Sequence, residues 1–107
     1  MTTVVHVACF GTDSLRDRIV HDQRLKSYDL EVARQKTPGR NPGWAKLNPV
    51  DYTRGAINLE WDASTRSLLA RIVNRAKGKP DIVVGRFIAY LLARHRGRIR
   101  SITIHPE

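Results

Sequence analysis

At 107 residues the chain has room for one hydrophobic core, because two halves of that size would each sit near the limit of independent stability. With 41% apolar and 27% charged residues, it has the composition of neither a wholly disordered nor a membrane-embedded protein. Charge is the informative number: 19 Lys and Arg against 10 Asp and Glu give +9, and the pI is near 10.6.

Such a charge costs compactness through self-repulsion, and it points to a polyanion whose phosphates neutralise it and release counterions. Nucleic acid, DNA or RNA, is the partner expected first, and an acidic protein is the alternative. Fourteen of the basic residues are Arg and five are Lys. That balance suits planar, bidentate contact with phosphate, although genomic coding bias produces it equally well. Apolar runs such as Ala89–Ala93 fall far short of the ~20 residues of a membrane helix, so no membrane partner is expected. The residues before Gly11 lack the basic run of a secretory signal. A single Cys9 cannot form an internal disulfide, so a reducing cytoplasm is the expected compartment.

In chain order, residues 4–10 are apolar on both alternating faces except at His6, which predicts a central strand covered on both sides. Gly11 ends it. Ser14 followed by Asp17 resembles a capping box and starts a helix that turns Leu15, Ile19 and Val20 inward. Tyr28, Leu30 and Val32 alternate with polar or small residues, which predicts a half-buried strand over 28–36. Pro38-Gly39, Asn41-Pro42-Gly43 and Asn48-Pro49 then predict one long basic and aromatic loop over 37–53. Residues 55–75 read as a hairpin, with Ile57, Leu59 and Trp61 on one strand, a turn at residues 62–65 and a second strand over 67–73. A basic connection over 75–79 leads to a helix that starts at Pro80-Asp81 and ends before Gly97, and residues 98–105 form a last strand. The expected fold is a single α+β domain: a small, mainly antiparallel sheet of about five strands with two helices on one face, in the order β-α-β-β-β-α-β.

The candidate nucleic-acid-binding residues are Arg34, Lys36, Arg40, Trp44, Lys46, Tyr52 and Arg54 in and around the long loop, with Arg75, Lys77 and Lys79 as a second group. The cations would hold phosphates, while Trp44 or Tyr52 offers a face to an unpaired base. Trp44 has a competing role as the loop's own anchor. Arg86, Tyr90 and Arg94 share one face of the late helix, and Arg98 and Arg100 share one face of the last strand. The stretch from Arg54 to Trp61 resembles the RNA-recognition-motif signature only in its basic residue and glycine. Ala56 and Asn58 stand where that family places stacking aromatics, so no binding mode carries over.

No catalytic residue, cofactor or metal is expected. Glu60 and Asp62 lie on one side of a strand, as two carboxylates of a metal-dependent nuclease would, but a third ligand is lacking and Arg71 is the expected partner across the hairpin. The four histidines are dispersed, and Cys9 inside an apolar strand reads as inert. An exposed strand edge in so small a sheet leaves a homodimer open.

Overall fold

A computed structural model describes residues 2–51, 53–74 and 81–107. The chain runs β1 (Thr2–Cys9), α1 (Leu15–Val20), β2 (Leu30–Arg34), β3 (Trp44–Pro49), β4 (Gly55–Asp62), β5 (Ser67–Asn74), α2 (Asp81–Arg94) and β6 (Ile99–Pro106), with 3-10 turns at Leu25–Tyr28 and Arg96–Arg98. The architecture is α+β: six strands form one sheet in the order β2-β3-β4-β5-β1-β6, every neighbouring pair antiparallel.

Directly opposed residues of an antiparallel pair point to the same face, so the register sorts side chains into two sets. Val32, Leu47, Ile57 and Ile72 make one apolar row across the sheet, and Ala45, Leu59, Ala70, Val5 and Ile104 make the next. Apart from Ile104, which is exposed at the sheet edge, these rows pack into one core with Leu15 and Ile19 of α1 and Val83, Phe87, Tyr90 and Leu91 of α2. Both helices therefore cover the same face. Among the described residues the opposite face carries no helix.

Four details differ from the sequence-based expectation. The segment over 37–53 contains β3, the sixth strand. Its turn-forming residues Pro42, Gly43 and Pro49 bracket a short alternation in which Ala45 and Leu47 are buried on the core face. Residues 25–28 form a 3-10 turn rather than the start of a strand. Asp29 then takes a left-handed conformation (φ 61°), and β2 begins only at Leu30. β1 is central, as expected, but among the described residues it is covered by helices on one face only: Val4, His6 and Ala8 lie half-buried on the helix-free side. Arg98 belongs to the 3-10 turn before β6 and shares no strand face with Arg100.

Helix α1 starts where expected. The Ser14 hydroxyl accepts a hydrogen bond from the Asp17 backbone N–H, while the Asp17 carboxylate takes Arg16 instead of completing the box. Arg16 is buried and donates to the backbone carbonyls of Trp44 (2.8 and 3.1 Å) and Gln35 (2.6 Å), so α1 clasps both ends of the 35–44 connection. No helix among the described residues is long and apolar enough to cross a membrane.

Candidate functional site

Side chains of the helix-free face follow from the same register. One row runs Arg34, Lys46, Asn58, Arg71, Val4 and His105, taking one residue from each strand in sheet order. At ~4.8 Å between strands, its cations span about 14 Å from Arg34 to Arg71. Arg34 joins the row because of a local irregularity. Val32 opposes Leu47 but Arg34 opposes Lys46, two residues of β2 against one of β3, and this bulge moves Arg34 from core parity to the open face.

Arg40, in the β2–β3 connection, reaches the same surface. Its guanidinium lies over the Trp44 ring at 5.1 Å from the centroid, and it lines a depression with Asn58, Glu60, Leu69 and Arg71. Lys46 and Arg54 line a neighbouring one with Asn48, Thr53 and Gly55. The connection lies close against β4: Gly43 accepts a hydrogen bond from the Trp61 N–H at 3.0 Å, and a Cβ on Gly43 would meet the Trp61 carbonyl oxygen at 2.7 Å. Only glycine permits that approach.

Four of the expected binding residues, Arg34, Arg40, Lys46 and Arg54, thus meet on one surface. Lys36 is exposed just past β2 and lines none of these depressions. Trp44 is only 4% exposed, and its indole N–H has no hydrogen-bond partner. With its ring buried beneath Arg40, Trp44 anchors the loop, and it has no face open to a base. Tyr52, Arg75, Lys77 and Lys79 lie outside the described residues. Sequence reasoning missed Arg71 as a binding residue. Hairpin spacing suggests Glu60 as its partner, but the register sets Arg71 opposite Asn58 and Glu60 opposite Leu69.

Ion pairs divide the molecule. Arg18 and Arg98 hold Asp13, Arg16 holds Asp17, Arg94 and His95 approach Asp22, and Arg86 holds Asp51. The late-helix stripe is therefore engaged within the protein: Arg86 and Arg94 are paired, and Tyr90 is fully buried. Hydrogen bonds from Arg86 and Thr53 hold the Asp51 carboxyl well below the usual range, and those from Arg18 lower Asp13. Among the described residues, Arg34, Lys36, Arg40, Lys46, Arg54 and Arg71 make no ion pair.

Behind the sheet, Tyr90 donates to Asp22 at 2.8 Å and lies 2.8 Å from His95 Nε2. Burial raises the Asp22 carboxyl, but hydrogen bonds from Arg94, the Arg24 N–H and Tyr90 outweigh it and leave the carboxyl below its ordinary value. Burial pushes the Tyr90 hydroxyl up and the His95 imidazole down. Cys9 is buried and its thiol is raised for the same reason. Among the described residues no three His, Cys, Asp or Glu side chains are grouped to hold a metal ion. Asp62 instead caps the β4–β5 turn by accepting from Ser64. No family model, curated protein or solved structure matches the chain.

Proposed function

We propose that the protein binds nucleic acid through backbone phosphates on its helix-free sheet face, without catalysing a reaction. One observation carries this reading: Arg16, Arg18, Arg86, Arg94 and Arg98 on the helix side are held by aspartates, whereas Arg34, Lys46 and Arg71 stand in file across the sheet with no carboxylate partner among the described residues. Bare cations in a row repel one another, and a phosphodiester chain relieves that repulsion and releases its own counterions. Arg40 and Arg54 extend the basic surface on either side of the file.

A salt-titrated mobility-shift assay with single- and double-stranded DNA and RNA tests the proposal. Replacing Arg34, Lys46 and Arg71 together with Ala is expected to weaken binding about equally on every sequence. It is also expected to flatten the dependence of log K on log salt by roughly 0.7–0.9 for each phosphate that the variant leaves unneutralised. Arg86→Ala, on the helix side, is expected to leave that slope unchanged. An unaltered slope in the triple variant removes the open face from the site, and failure of the unmodified protein to bind any oligonucleotide near physiological salt favours an acidic protein as the partner.

A further inference from the structure

Glu60 is out of place on this surface. It is a carboxylate on a cationic face, half-buried, lining one depression with Arg40 and Arg71 and yet ion-paired with neither. Its register neighbours are Trp44 and Leu69, and the cation nearest in the ladder, Arg71, stands beside Asn58. A carboxylate held near two guanidinium groups without bonding to either keeps both oxygens available as acceptors. Leu69 supplies an apolar wall and Asn58 an amide. The depression measures about 270 Å³, just below the roughly 300–1,000 Å³ typical of pockets that enclose whole small ligands, and so it suits one flat group of the size of a base.

We propose that this depression takes a single unpaired guanine of a bound strand and that Glu60 reads it. The inference rests on the open face being the nucleic-acid interface. Among the bases only guanine presents two adjacent donors, N1–H and the N2 amine, on its Watson–Crick edge, which matches the two oxygens of a carboxylate. Adenine and cytosine set one amine beside a ring-nitrogen acceptor, and uracil sets one N–H between two carbonyls, so each would direct a lone pair at Glu60. The guanidinium groups of Arg40 and Arg71 suit the remaining guanine acceptors, O6 and N7. Arg40, held over Trp44, also offers a plane on which a base can stack. In a duplex that edge is already paired, so the ligand is single-stranded. A larger depression, about 530 Å³, shares Glu60 and Leu69 and continues past His6, Trp61, Asp62 and Ser67; among the described residues it holds no Lys or Arg, so the phosphates of the strand stay with the file of Arg34, Lys46 and Arg71.

The test is fluorescence anisotropy with single-stranded uridine oligomers that carry one central guanine, inosine, adenine or cytosine, at fixed salt. The unmodified protein is expected to prefer guanine over adenine and cytosine by about 10-fold, with inosine, which keeps N1–H but lacks the N2 amine, in between. Glu60→Gln, which replaces one acceptor by a donor, and Glu60→Ala are both expected to abolish the preference while binding the all-uridine strand at least as tightly as before. Retained binding to that strand reports an intact fold. Equal affinity for all four central bases, or a guanine preference that survives both substitutions, overturns the inference and leaves phosphate binding standing. No binding to any of these single strands overturns the inference, and the mobility-shift assay with duplexes then decides whether phosphate binding stands.

Discussion

His95 is one histidine whose surroundings translate directly into a dependence of stability on pH. Its side chain is 9% exposed, facing the Asp22 carboxylate, the Tyr90 hydroxyl and the guanidinium of Arg94, with the charges of Arg18 and Arg98 also bearing on it. Tyr90 donates to Asp22 and therefore accepts from His95 Nε2–H, which fixes the tautomer. Burial acts against the imidazolium more strongly than Asp22 favours it, so the folded-state pKa lies below the ordinary 6.5. Below that ordinary value the unfolded chain binds a proton that the folded chain resists, and stability falls as pH drops. Asp13, Asp22 and Asp51 work in the same direction at lower pH. Their depressed carboxyls contribute stability above the usual carboxylate pKa, and that contribution is lost on acidification toward their folded values. Urea titrations are expected to show a lower midpoint at pH 5 than at pH 7.5. In His95→Gln that first step is expected to flatten while the loss below about pH 4 remains. An identical profile in the variant would mean that His95 titrates normally in the folded protein.

At the scale of elements, the β2–β3 connection positions the site, and it is the part least legible in the sequence. The β4–β5 hairpin can be read from Ile57, Leu59 and Trp61 alternating against Leu68, Ala70 and Ile72, because period-2 patterning is a local property. Helix α2 can be read from Val84, Phe87, Ile88 and Leu91 in the same way. β3 cannot, because its six residues are framed by Pro42-Gly43 and end on Pro49, so turn signals outweigh a short alternation whose stabilisation comes from neighbours on both sides. The bulge that turns Arg34 outward depends on how β2 meets β3, which no window of either strand contains. Gly43 tests the role of the connection. Gly43→Ala forces a Cβ against the Trp61 carbonyl, and is expected to destabilise the fold by about 1–3 kcal/mol. By lifting the segment that holds Arg40 over Trp44, it should also weaken oligonucleotide binding more than Gly97→Ala, a position with open space around its Cβ. Equal binding by the two variants would detach Arg40 from the interface.

For the molecule as a whole, net charge is legible from composition alone and its placement is not. The basic residues of the 34–54 segment can be nominated as a group because they are close in sequence. Arg71 joins them only through the pairing of β5 with β4, and Arg86, Arg94 and Arg98 are neutralised by aspartates distant in the chain that fold back onto them. Among the described residues the two sides consequently differ: Arg16, Arg18, Arg86, Arg94 and Arg98 of the helix side are ion-paired, and the cations in file on the sheet face are not. Such a particle adsorbs in a preferred orientation. On a cation-exchange column the Arg34/Lys46/Arg71 triple-alanine variant should elute well ahead of a variant lacking Arg18, Arg86 and Arg94, although both lose the same three positive charges. Retention would then report which side of the protein meets a charged matrix, with no nucleic acid present.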